Sequence, residues 1–140
     1  MNVPVRYLLD TNIISETRLS RIDKGVADFL GRSQANSLFL SVLTLGELRK
    51  GVAIKRKTDP ATAEALGAWV DELEETFADR IIHIDAAVAK LWGELSSDRS
   101  QPVIDTLIGA TALAHGMVLV TRNAKDLVGL DVALLDPFAE

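Results

Sequence analysis

Three carboxylates stand where short apolar runs give way to polar turns or helix starts. Asp10 follows Tyr7-Leu8-Leu9, Glu47 follows the run from Leu38 to Leu43, and Asp105 opens the apolar stretch that leads to Met117–Val120. Asn123 and Asp126 come directly after that last run. Brought together, such groups repel one another and raise each other's pKa unless a cation neutralises them. Oxygen donors without cysteine or histidine suit magnesium, with manganese as a substitute, rather than zinc. Such an ion keeps several waters and bridges to phosphate oxygens. The chemistry to expect is a metal site with room for a phosphate. Each residue also has a local role open to it. Asp10 can cap a helix beginning near Asn12, Glu47 can close a capping box with Thr44, and Asp105 can favour its helix N-terminus through the dipole. Asn123 and Asp126 can be ordinary capping and surface residues. None of these roles requires a shared location.

The elements that carry them decide the matter. Tyr7–Leu9 reads as a buried strand stopping in an Asx-type turn at Asp10-Thr11-Asn12, and Leu38–Leu43 as a second strand, with Thr44 to Glu47 opening a helix. Pro60 to Arg80 reads as a helix with Leu66, Trp69, Val70 and Leu73 on one side, Ile81–Ile84 as a third strand and Ala86–Leu95 as a helix. After a loop around Ser100-Gln101-Pro102 come a helix from Ile104 to His115 closed by Gly116, a fourth strand Met117–Val120, a short helix Asn123–Leu127 and a last strand near Val132–Leu135. Alternating strands and helices imply an α/β fold, a three-layer α/β/α sandwich around a mainly parallel sheet, with residues 1–140 as one domain. In such a sheet strand C-termini and helix N-termini gather along one edge, where ligands bind. That wiring places Asp10, Glu47, Asp105, Asn123 and Asp126 on the same edge.

Composition narrows the classes. The chain has 140 residues, 48% of them apolar, and no cysteine, so packing alone must hold the fold. The apolar run before Asp10 is too short for a signal peptide core or a membrane span, and a soluble cytoplasmic protein is expected. Fifteen basic against 20 acidic residues give a net charge of -5, the wrong sign for simple attachment to nucleic acid. Contact with a phosphate backbone would need a bound cation or a local basic surface. Two tracts offer one: Arg18, Arg21 and Lys24, and Arg49, Lys50, Lys55, Arg56 and Lys57; either can equally be a solvated helix face. His83 and His115 suit core or helix-end positions, and Trp69 and Trp92 suit packing. There is no glycine-rich phosphate loop.

Four segments in order carry a pattern: Leu8-Leu9-Asp10-Thr11-Asn12-Ile13-Ile14-Ser15-Glu16, Leu40-Ser41 through Gly46-Glu47-Leu48, Ile104-Asp105, and Leu119-Val120-Thr121-Arg122-Asn123. Together they resemble the PIN-domain nucleases, and more narrowly the VapC toxins of bacterial toxin-antitoxin pairs. The resemblance runs from Leu8 to Pro137. It implies an endoribonuclease in which acidic ligands hold one or two magnesium ions that orient and activate water for in-line attack on an RNA phosphodiester. By the same resemblance Asp10 and Asp105 are the principal metal ligands, and Glu47 completes the coordination or holds its waters. Thr11 and Asn12 shape the loop beneath, with the Thr11 hydroxyl as an outer hydrogen bond. Asn123 stands where many relatives have aspartate. It brings no charge, and Asp126 one turn later is the residue that can compensate.

The resemblance further implies a homodimer, or a toxin-antitoxin hetero-oligomer, held inactive by a VapB-like antitoxin. The amphipathic stretches Leu45–Ile54 and Ala65–Phe77 are candidates for that contact and equally for packing within the domain. A strand ending in aspartate also opens the haloacid-dehalogenase-type phosphatases, but their acid two residues on is here Asn12. A non-catalytic regulatory or binding module of the same fold is the alternative.

Overall fold

The computed structural model describes residues 4–97 and 102–139. Five short strands, β1 (Tyr7–Leu9), β2 (Leu38–Ser41), β3 (Ile81–Ile82), β4 (Val118–Val120) and β5 (Leu134–Leu135), form one sheet in the order β3-β2-β1-β4-β5. Every neighbouring pair is parallel, with Tyr7 beside both Leu38 and Val118, and Leu9 beside Val120. The chain works outward from β1 to β3, then returns to lay β4 on the other side of β1. The reversal between β1 and β4 opens a crevice at their C-terminal ends, the usual binding position in such sheets.

Period-two burial along the strands divides the core between two faces. Leu9, Leu40 and Val120 enter one cluster, packed by α1 (Thr11–Glu16), α2 (Lys24–Arg32), α3 (Val42–Arg56) and α4 (Pro60–Thr76) through Ile13, Val26, Phe29, Leu48 and Val70. Leu8 and Leu119 enter the other, with Phe39 packed against it. That face is covered by α6 (Val103–Ala114) through Ile108 and Ala112, and by Leu95 of α5 (Ala86–Ser96). The three-layer sandwich expected from the alternation is therefore the one observed.

Several boundaries differ from the sequence expectation, for local reasons. β2 ends at Ser41, not Leu43, because the Ser41 side chain caps α3 by accepting from the Leu43 amide at 3.0 Å. Thr44 and Glu47 thus form no capping box, and Glu47 lies in the second turn of α3, freed for another partner. The helix expected over Pro60–Arg80 stops at Thr76, β3 stops at Ile82, and His83 is exposed rather than in a strand. The short helix expected over Asn123–Leu127 is a 3-10 helix over Ala124–Leu127. Helix α2 is additional to the elements expected from the sequence, and its N-terminus is capped by Asp23 accepting from the Val26 amide at 3.0 Å. Gly116 closes the end of α6 with a φ of 63°, as expected for a left-handed cap. Of the loop around Ser100-Gln101-Pro102, Ser100 and Gln101 lie outside the described residues.

Two residues of the basic tracts, Arg49 and Arg18, engage neighbouring helices. Arg49 of α3 bonds Asp71 at 2.5 Å and Glu74 at 2.9 Å on α4, and the Arg18 guanidinium lies 5.9 Å from the Trp69 ring centroid. The facing sides of Leu45–Ile54 and Ala65–Phe77 therefore pack against each other, burying Val52 and Val70. Leu8 is fully buried between β2, β4 and α6. Leu8→Ala should lower stability by about 2–5 kcal/mol in urea melts, the usual cost of such a cavity.

Candidate active site

Asp10 is the first residue beyond β1 and Thr121 the first beyond β4, so the strand pairing that joins Asp10 N–H to the Val120 carbonyl at 2.9 Å brings their side chains together. The Thr121 hydroxyl donates to Asp10 Oδ2 at 2.8 Å, and Thr11 N–H donates to Oδ1 at 2.8 Å. The Asp10 carboxylate is only 6% exposed and is held from both sides. Thr121 is itself fixed: its oxygen accepts from Asn123 N–H at 3.1 Å and from Asn12 Nδ2 at 3.4 Å, and Asn12 Oδ1 accepts from Arg122 N–H at 3.2 Å. On the opposite side the Thr11 hydroxyl donates to Glu47 Oε1 at 2.6 Å and lies 3.2 Å from the hydroxyl of buried Thr44.

Asp105 sits in the first turn of α6, as expected from the sequence. Its charge and that of Glu47 act on Asp10, while Glu47 and Asp126 act on Asp105. Among the described residues, none of these four carboxylates has an ion pair with a basic side chain. Nor are three His, Cys, Asp or Glu side chains grouped closely enough to hold an ion among themselves. Asn123 is exposed at the start of the 3-10 turn, where its carbonyl oxygen accepts from Asp126 N–H at 3.0 Å. The structure thus links Asp10, Thr11, Asn12, Glu47 and Asn123 through hydrogen bonds, and Asp105 and Asp126 through their charges.

Burial is the largest influence on Asp10 and lifts its carboxyl above the ordinary value. The Thr121 hydroxyl and Thr11 amide draw it back, and Asp105 and Glu47 raise it further. Asp105 is raised by burial first, then by Glu47 and Asp126. Thr121 stands within the motif Leu119–Asn123 but its residue type gave no sign of this role, and Thr44 was expected only as the capping partner of Glu47. The available signal was positional: Thr121 follows β4 as Asp10 follows β1, across the one strand pair where the chain reverses.

The remaining polar candidates lie elsewhere. His115 ends α6, its N–H donating to Thr111 and its carbonyl accepting from the Arg6 guanidinium. Trp69 packs against the core, and Trp92 keeps a buried indole N–H with no partner among the described residues.

With this geometry in place, the family follows from comparison with known proteins, since a PIN-domain family model matches residues 7–128. The chain belongs to the PIN-domain family. It is similar to the protein named Toxin FitB of Neisseria gonorrhoeae, 31% identical with 94% of this chain and 97% of that protein covered. It is also similar to VapC ribonuclease Y4jK of Sinorhizobium fredii, 32% identical over 89% and 94% of the two chains. A crystal structure of FitAcB from Neisseria gonorrhoeae superposes with a TM-score of 0.85 at 29% identity, covering 94% of this chain and 97% of that one. Among the described residues no helix is long and apolar enough to cross a membrane.

The raised carboxyls carry a consequence for this PIN domain's stability. Both bind protons more tightly folded than unfolded. The stability they contribute is fully present below about 3.8 and is lost as pH rises through their elevated folded values. Without a divalent cation, Asp105→Asn should therefore melt above wild type at pH 7, with the advantage shrinking as pH falls toward 4. Thermal melts in chelator check this, and a variant that melts no higher than wild type at pH 7 contradicts the charge crowding.

Proposed function

We propose that this chain is a magnesium-dependent endoribonuclease acting as the toxin of a toxin-antitoxin pair, with manganese as a substitute ion. The observation that carries the reading is the buried Asp10 carboxylate at the reversal point of the sheet, acted on by the charges of Asp105 and Glu47, with Glu47 and Asp126 acting on Asp105 and no basic partner among the described residues. Burial and these neighbouring charges raise the Asp10 and Asp105 carboxyls, a cost that a divalent cation removes. The ribonuclease name of the Sinorhizobium relative supports RNA as substrate, and the toxin name of the Neisseria relative supports the biological role.

The donor set fits magnesium. It consists of carboxylate oxygens alone, and an ion that retains several waters needs only one or two of them directly. Asp10 and Asp105 would hold the ion, and Glu47, fixed by Thr11, would bind it or its waters. When bound, the metal would lower the pKa of a coordinated water and neutralise charge on the phosphate. The protein's own work is orientation. Thr11 N–H and Thr121 Oγ1 each donate to one Asp10 oxygen, and the remaining lone pairs would be available to ligate an ion. Thr11 aims Glu47, and Asp126 lends Asp105 the negative charge that Asn123 does not supply. Bound metal would also let a protein of net charge -5 approach an RNA backbone without a large basic face.

On this reading an antitoxin is the cognate protein partner, and the chain works as a homodimer or within a toxin-antitoxin hetero-oligomer. The sides of Leu45–Ile54 and Ala65–Phe77 turned away from each other are the surfaces offered to it; Ile54 is 56% exposed.

Partner-free protein incubated with structured RNA should cut it in magnesium and stop cutting in chelator. Asp105→Asn should lose more than the roughly 10–100-fold that residues behind the metal ligands cost. Cleavage that persists in chelator, or an unimpaired variant, would overturn the mechanism. Wild-type protein that binds RNA and leaves it intact in every divalent cation would favour the non-catalytic module. For the hydrogen bond behind the metal, Thr121→Val keeps the shape and removes the donor to Asp10. Its cleavage rate, measured where both proteins are fully folded, should fall by about 10–100-fold, with a melting temperature lowered by the buried partners left unsatisfied.

A further inference from the structure

The segment after β5 lies against α2 and reaches back to the loop that follows β4. Ala139 N–H donates to Asp23 Oδ2 at 2.9 Å, and Phe138 N–H donates to Asp136 Oδ1 at 3.0 Å. Gly25 is what admits the segment so close. A Cβ at that position would run into the Pro137 carbonyl oxygen and the Ala139 amide nitrogen. Since both obstacles are backbone, a side-chain rotation cannot relieve them. Asp23 is held in turn from the α1 side, its N–H donating to Glu16 Oε2 at 2.8 Å.

Phe138 carries this anchoring toward the site. The Arg122 guanidinium lies 4.4 Å from the Phe138 ring centroid, close enough for a cation–π contact. Arg122 also feels the Asp23 charge, which helps hold the Asp23 carboxyl below its ordinary value behind the larger effect of the Ala139 amide. Arg122 lies between Thr121, which donates to Asp10, and Asn123, whose amide donates to Thr121. Its own amide is the one that Asn12 accepts. A loop of three residues is thus pinned at its centre from outside the site.

We propose that Arg122 and Phe138 are positioning residues for Asp10: the segment 136–139, seated on α2 at Gly25, fixes the loop 121–123 and with it the Thr121 hydroxyl that orients the Asp10 carboxylate. The proposal rests on the metal-binding role given to Asp10 above. It assigns a function to residues remote from the carboxylates that the catalytic reading leaves unused.

Gly25→Ala separates positioning from plain stability. Alanine has the higher helix propensity, so at this position in the first turn the change does not weaken α2 itself while forcing the segment off it. The full chain is compared as wild type, Gly25→Ala, Phe138→Ala and Phe138→Tyr by manganese calorimetry, hydrogen exchange at the Arg122 amide in metal-free protein, and thermal melting. Gly25→Ala and Phe138→Ala should bind manganese about tenfold more weakly and exchange the Arg122 amide faster, with Gly25→Ala keeping its melting temperature. Phe138→Tyr, which preserves the ring, should match wild type in both. Manganese affinity and Arg122 exchange within about twofold of wild type in both disruptive variants would overturn the proposal. Wild-type protein that binds no manganese would instead overturn the metal reading, and with it the role of Asp10, however the variants behave.

Discussion

The hydrogen bond from the Thr121 hydroxyl to the Asp10 carboxylate joins the two strands between which the chain reverses direction. Its donor and acceptor are 111 residues apart in sequence, yet each is the first residue past its own strand. The register Leu9 against Val120 leaves them no alternative but to meet. A slip of one residue in that pairing would turn Leu9 and Val120 to the wrong face and carry Asp10 away from Thr121 at the same time. The packing of the core and the geometry of the site are therefore specified by the same pairing.

What the fold brings to that point is unfavourable on its own. Asp10 is buried and both Asp10 and Asp105 are raised by burial and by neighbouring carboxylates, with no basic side chain among the described residues paired to them. Basic residues are at hand, but Arg49 is drawn to Asp71 and Glu74 on α4, and Arg122 is turned to Phe138 and Asp23. Polar hydrogens rather than charges hold the cluster: the Thr11 amide and hydroxyl and the Thr121 hydroxyl orient carboxylates without neutralising them. Such an arrangement suits a site whose positive charge arrives from solution.

The fold class and the common edge of the carboxylates were legible in the sequence because parallel strands buried on both faces leave runs such as Tyr7–Leu9 and Met117–Val120, and because chain order constrains which ends of the strands converge. Less legible was anything set by competition between adjacent polar groups. Ser41 took the cap of α3 that Thr44 was expected to hold, and Glu47 was released to Thr11. The helix α2 was not legible: its nine residues include two glycines, Gly25 and Gly31, and its stability comes from Val26 and Phe29 reaching the core and from the Asp23 cap. Thr121 could be seen as part of a motif but not as a donor, since its partner is fixed only by strand pairing. The contacts of Phe138 and Gly25 depend on how the segment after β5 meets α2, and no local pattern records that meeting.

We propose a divalent-metal site at the edge beside Asp10 and Asp105. Anomalous diffraction from crystals grown with manganese tests it most directly. The account predicts a peak between the Asp10 and Asp105 carboxylates, with Glu47 reaching it directly or through water. A fully ordered site with no peak there, or manganese bound only at a different part of the surface, would contradict it.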